Sequence, residues 1–210
     1  MGQKVGLLCR EIEPKFKHTR PDTYGQPEIL NDFFIEKGRT PSAYRTSGSS
    51  VRPGDADMPY PRICSHRGFV TIAPENTMPA FGSAIALGAE EIELDIWPSR
   101  DGKLVVCHDD TVDRVSNGYG KITSMDWDEI KALDAGSWFS EEFTGLQFPT
   151  FDDVLKKFSR QVIVNLHIKS VGNTDEYNHY VFKNIVSTIY RYDMQDHVYI
   201  AGEEDVLKTA

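Results

Sequence analysis

Three short segments carry side chains able to do acid–base or metal chemistry: His66-Arg67, Glu93-x-Asp95 and His108. Each lies in or just after a run with strand character, in ICSHRG, EEIELDIW and LVVCHD. Strand side chains alternate faces, so Glu93 and Asp95 share one face. Two carboxylates on one face repel unless a cation lies between them, and a hard divalent ion such as Mg²⁺ or Ca²⁺ favours oxygen ligands. Asp101-Gly102 between two extended runs signals a hairpin. With these as the two turn residues, Asp95 faces His108 and Glu93 faces Asp110, with Cβ atoms roughly 5 Å apart. Pro98 cannot donate to a ladder, so it marks an edge or a bulge that would shift this register. Cys64 shares a face with His66 and reads as a small buried hydrophobe. Cys107 points away from His108, which argues against a zinc site from the two Cys-His pairs. Each of these residues alone reads as structural; their conjunction at strand ends reads as a site.

The elements that position them begin at Pro61. Barrel-type strands are expected near 62–67, 91–96, 162–168 and 197–201, with a returning hairpin strand after Gly102. Helical patterns fall between them, in MPAFGSAIALG, SMDWDEIKALDAG with Ser124 as N-cap, FDDVLKKFS and TDEYNHYVFKNIVSTIYRYD. Alternating strands and helices give an α/β fold with a parallel sheet. In barrels of this build, active sites sit at the strands' C-terminal ends.

Composition narrows the classes. The chain has 210 residues, 40% of them hydrophobic, and a formal net charge of −9. Such acidity argues against non-specific nucleic-acid binding and against a polybasic membrane anchor. No apolar run approaches the roughly 18 residues of a membrane span. The start has no secretory pattern, and Gly6 stands where a myristoylation signal needs Ser or Thr. Cys9, Cys64 and Cys107 do not suggest a disulfide framework, so a reducing, cytoplasmic location is expected. Residues 1–60 end in a Ser-, Gly- and Pro-rich stretch and read as an N-terminal extension and linker; residues 61–210 read as the main domain.

The ordered motifs SHRG, APENTMPAF, GAEEIELDIWPSRDGKLVVCHDDTVDRVSNGYG, IKALDAGSWF and FPTFDDVL resemble the glycerophosphodiester phosphodiesterase family, clearly from about Arg62 to Lys169 and more weakly beyond. The resemblance implies a TIM-type (βα)8 barrel with a small insertion after the second strand. It implies metal-dependent hydrolysis of a small-molecule glycerophosphodiester to glycerol 3-phosphate and an alcohol, through a cyclic phosphate formed by a substrate hydroxyl. It assigns His66 and His108 as the acid–base pair and Glu93 and Asp95 as ligands of a divalent metal. Arg67 would contact the phosphate, Glu75 would support the same region, and Lys169 would lie near the phosphate.

The chain departs from the family pattern in two ways. His167 stands where the family carries a third ligand, a Glu; it shares a strand face with Lys169 and is expected to ligate the metal, which would favour Mn²⁺ or another transition metal more than a carboxylate does. From Arg62 to Ala210 the chain is also short against the about 250 residues typical of such barrels. About four barrel strands, the N-terminal half, are expected, with an open edge through which copies could self-associate. Two alternatives accompany this reading: an inactive barrel fragment serving as a binding or assembly module, and a sphingomyelinase-D-like phospholipase, which the PENT and DAGSWF matches and the missing signal disfavour.

Overall fold

In the computed structural model, residues 62–169 and 175–202 are described. The extension expected over 1–60 lies outside them. Strand β1 (Cys64–His66) leads to helix α1 (Met78–Ala86), strand β2 (Glu91–Pro98) and strand β3 (Leu104–Val106). Then follow helix α2 (Trp127–Lys131), helix α3 (Phe151–Phe158), strand β4 (Ile163–Ile168), helix α4 (Asp175–Arg191) and strand β5 (Val198–Gly202). The sheet runs β1-β2-β4-β5, all parallel, and β3 pairs antiparallel with the end of β2. Among the described residues this is an open arc of a (βα) barrel, with β1 and β5 at its edges.

One face of the arc is apolar. Ile92, Leu94 and Ile96 of β2 and Val164, Leu166 and Ile168 of β4 pack with Phe81, Phe151, Leu155 and Ile185 of the helices. Each such side chain contributes about 1.5–3 kcal/mol when fully buried. Alternation leaves Glu91, Glu93, Asp95, Asn165 and His167 on the other face, the barrel interior. Helix starts are fixed by local chemistry. Thr77 Oγ1 accepts from Ala80 N at the head of α1, and Thr150 and Asp153 bond reciprocally at the head of α3. The expected Ser124 cap gives way to Asp126, whose N–H donates to Glu129 at 2.8 Å, because Ser124 closes a separate 3₁₀ turn, Ile122–Ser124.

The hairpin register differs by one residue from expectation. Ile96 pairs with Val106 and Pro98 with Leu104, while Ser99 N donates to Lys103 O at 2.8 Å. The loop is therefore Arg100-Asp101-Gly102, with Gly102 at φ +84 taking the left-handed place that three-residue hairpin loops require. Cys107, not His108, meets Asp95: its N–H donates to Asp95 O at 3.1 Å. Neither the Asp95–His108 nor the Glu93–Asp110 pairing forms in the ladder, and His108 lies beyond the end of β3.

The segment between β3 and α3 builds, with Val105 of β3, its own small core from Cys107, Val112, Ile122, Ile130 and Phe148. The DAGSW motif works here as scaffold. Asp134 accepts from the backbone N–H groups of Gly136, Ser137 and Gly145 at 2.8–2.9 Å, which lowers its carboxyl to about 2.

Candidate active site

Parallel pairing sets Asp95 opposite His167 and Glu93 opposite Asn165, and β1 sets His66 opposite Glu93. Three ligand atoms, one each from Glu93, Asp95 and His167, lie within 4.8 Å of one another. His167 Nδ1 is 3.1 Å from Asp95 Oδ1 and 4.0 Å from Glu93 Oε1. Lys169 Nζ lies 3.0 Å from Asp95 Oδ1 and 3.2 Å from His167 Nδ1. Asp95 is fully buried, and its Oδ1 meets the Lys169 ammonium and the His167 ring. Two carboxylates and an imidazole converging at this distance form a donor set that fits a divalent cation.

The two carboxyls titrate apart. Burial, with the Asp95 charge beside it, pushes Glu93 up to about 7. Burial acts on Asp95 in the same sense, but contacts from His167, Asn76 and Lys169 outweigh it and hold Asp95 well below the usual carboxylate range. Asn76 grips Asp95 at two points: its Nδ2 donates to Oδ2 at 3.0 Å and its Oδ1 accepts from Asp95 N at 3.3 Å.

His66 ends β1 half-exposed, with Nε2 3.9 Å from Glu93 Oε2. Arg67 follows in the left-handed region at φ 57, an uncommon conformation for a non-glycine residue. Its N–H donates to Glu93 Oε2 at 2.9 Å, and its carbonyl accepts from Asn76 N at 2.9 Å. Such strain, of order 1–3 kcal/mol, persists where surrounding contacts over-determine it. Gly68 comes next because a Cβ there would sit 2.7 Å from the Ala80 backbone. Arg67 Nε stands 3.7 Å from Asp95 Oδ2 and, though buried, has no hydrogen-bond partner. It is a donor held ready beside the carboxylates.

A second network continues from Arg67. Its Nη1 donates to Glu75 Oε1 at 3.2 Å, and Glu75 accepts twice from Arg114, at 2.7 and 3.1 Å. Burial opposes ionisation of Glu75, but Arg114 and Arg67 prevail and lower its pKa. Arg114 also grips Asp109, with Nε 2.6 Å from Oδ2, and Asp109 Oδ1 lies 2.7 Å from His108 Nδ1. The Arg114 contact holds Asp109 at about 2. Trp97 Nε1 donates to His108 O at 3.1 Å.

The structure therefore gathers His66, Arg67, Glu93, Asp95, His167 and Lys169 into one cluster. His108 joins that cluster through Asp109, Arg114 and Glu75, not through a direct contact with Asp95. A cleft of about 610 Å³, lined by Lys103, Trp127, Asp152 and Arg191 among others, includes none of His66, Glu93, Asp95 and His108. Sequence reasoning missed Asn76, Asp109 and Arg114. Their signals were adjacency to Glu75 and to His108, and an Arg five residues after an Asp.

Strands that bring acidic and imidazole side chains to one end of a parallel βα arc define a (βα)-barrel protein with a metal-type site. The chain belongs to the glycerophosphoryl diester phosphodiesterase family, whose profile matches residues 66–203. It is 46% identical over 109 residues to a glycerophosphodiester phosphodiesterase of Caldanaerobacter subterraneus, covering 51% of this chain and 45% of that protein. The fold is similar to the crystal structure of the Agrobacterium tumefaciens glycerophosphodiester phosphodiesterase, with a TM-score of 0.64 and 34% identity over 70% of this chain and 61% of that one. It is similar to an Oleispira antarctica phosphodiesterase in complex with the product sn-glycerol-3-phosphate, with a TM-score of 0.65 and 28% identity over 71% of this chain and 61% of that one. The chain spans less than half the length of two curated relatives that it matches, at 44–45%. Among the described residues no helix is long and apolar enough to cross a membrane.

Proposed function

We propose that this chain carries the catalytic strands of a metal-dependent phosphodiesterase that converts glycerophosphodiesters to glycerol 3-phosphate and an alcohol. The observation that carries this reading is the cluster of buried Glu93 and Asp95 with partly buried His167, beside His66 and Arg67, in a chain of this family. A divalent ion held by Glu93, Asp95 and His167, Mg²⁺ or Ca²⁺ first and Mn²⁺ next because of the imidazole, would stabilise charge on the phosphoryl oxygens. Arg67 and Lys169 supply fixed positive charge for the phosphate, and Glu75 orients Arg67. His66 and His108 form the acid–base pair. A substrate hydroxyl closes on phosphorus as its proton passes to one imidazole, and the alcohol leaves with a proton from the other. Water then opens the cyclic phosphate with the two roles exchanged.

A cytoplasmic location is part of the proposal, supported by three cysteines that do not suggest a disulfide framework. Self-association belongs to the same proposal: β1 and β5 each pair on one side among the described residues, and exposed strand edges recruit further strands. Sedimentation of the purified chain should show a species larger than the monomer; a monodisperse monomer removes this part of the proposal.

The catalytic reading is tested by His66→Ala and His108→Ala. General acid–base groups contribute roughly 10²–10⁴-fold each, so both variants should lose turnover by that order. Wild-type turnover in both, at saturating substrate, would overturn the assignment.

A further inference from the structure

We infer that Asp109 and Arg114 are positioning residues that fix the tautomer and ring orientation of His108 and tie it to the Glu75–Arg67 side of the site; this rests on the reading of His108 as an acid–base residue.

Both oxygens of Asp109 are engaged. Oδ1 lies 2.7 Å from His108 Nδ1 and 3.2 Å from Arg114 Nη2, and Oδ2 accepts from Arg114 Nε at 2.6 Å. Arg114 turns its remaining donors to Glu75, at 2.7 and 3.1 Å. A planar guanidinium held at two points by each of two carboxylates has little rotational freedom. Asp109 in turn has one direction left in which to meet the imidazole. The Arg114 contact keeps Asp109 ionised near neutral pH. An ionised carboxylate only accepts, so the shared proton sits on His108 Nδ1 and the lone pair is at Nε2. Nε2 is then the nitrogen that exchanges a proton with substrate oxygen, and Asp109 offsets the charge of the imidazolium formed. The bond from Trp97 Nε1 to His108 O anchors the backbone end of the same residue.

The bonds add little to stability. Arg114 is 45% exposed, and exposed ion pairs contribute little net stability. Their value lies in orientation. Losing the carboxylate that orients a catalytic imidazole costs about 10⁴ in turnover in a buried triad. The partial exposure here lowers the expected loss for Asp109→Asn to about 10–100-fold in kcat, with KM changed less than threefold.

The test is a long-range proton–nitrogen spectrum of ¹⁵N-histidine protein, which reports the tautomer whether or not substrate turns over. In wild type, neutral His108 should be the Nδ1–H form. In Asp109→Asn it should become a mixture, and Arg114→Lys should sit between the two while keeping the fold. An Nε2–H ring in wild type, or the same tautomer and kcat in all three proteins, overturns the inference. The underlying reading fails differently: there His108→Ala keeps wild-type turnover. A dead His108→Ala beside an Asp109→Asn protein that matches wild type in tautomer and kcat removes this inference alone.

Discussion

Asp95 and His167 face each other across the parallel β2–β4 pair, with Asp95 Oδ1 3.1 Å from His167 Nδ1. The pairing puts an imidazole where the family resemblance implies a third carboxylate. It replaces a negative charge with a neutral nitrogen donor at the wall of the candidate metal site. Several consequences can be measured.

His167→Glu should raise affinity for hard ions. A third carboxylate adds charge and an oxygen donor, which suits Ca²⁺ and Mg²⁺; imidazole suits Mn²⁺, Co²⁺ and Zn²⁺. Calorimetric titration of both proteins should show the Mn²⁺ to Ca²⁺ affinity ratio at least about tenfold lower in the variant, the scale on which groups around a metal tune affinity. Equal ratios would make His167 a bystander.

Glu93 gives stability a pH signature in the metal-free protein. Its folded value of about 7 lies above the ordinary 4.5 of a glutamate carboxyl. Between these limits the folded state binds more protons than the unfolded one, so the contribution of Glu93 to stability falls as pH rises. The penalty is complete above about pH 7 and absent well below 4.5. Glu93→Gln removes it, and the side chain is only 8% exposed, so little solvent screening applies. In chelator, the variant should exceed wild type by on the order of 3 kcal/mol above pH 7, with the difference shrinking toward acid. A pH-independent difference in urea unfolding would contradict this.

Asn76→Ala should be costly although it touches no candidate ligand atom of Glu93 or His167. It deletes both the Nδ2 donor to Asp95 Oδ2 and the acceptor of Asp95 N, leaving buried polar groups without partners. Each such group costs about 1–3 kcal/mol. Asn76 also holds φ 55, which Asn tolerates better than Ala. Denaturant midpoints should fall accordingly; an unchanged midpoint would show that the Asn76–Asp95 contact does not matter.

The legible parts of the fold are those governed by rigid periodicities. Two-residue alternation alone puts Glu93 with Asp95 and His167 with Lys169 on shared faces, and the paired stretches Glu91–Ile96 and Ile163–Ile168 obey it. The hairpin was less legible because Asp101-Gly102 serves a two- or a three-residue loop equally well. The choice rests on Ser99–Lys103 pairing, which the local sequence does not reveal. That single residue carries His108 off the ladder. Asn76, Asp109 and Arg114 escaped notice for a related reason: they act through side-chain bonds between loops that are distant in sequence, such as Arg114 with Glu75. The acid–base assignment of His108 rests on the family resemblance and not on strand geometry.

The central claim is that Glu93 and Asp95 hold the divalent ion required for phosphodiester cleavage. It is tested most directly by glycerol 3-phosphate release from glycerophosphocholine, with Mg²⁺, Ca²⁺ or Mn²⁺ added to chelator-stripped protein, comparing wild type with Asp95→Asn. Release should appear only with an added ion and fall at least about 10²-fold in the variant, several kcal/mol of lost transition-state stabilisation. Release unaffected by chelator or by Asp95→Asn, or no release by wild type with any of the three ions, would contradict it.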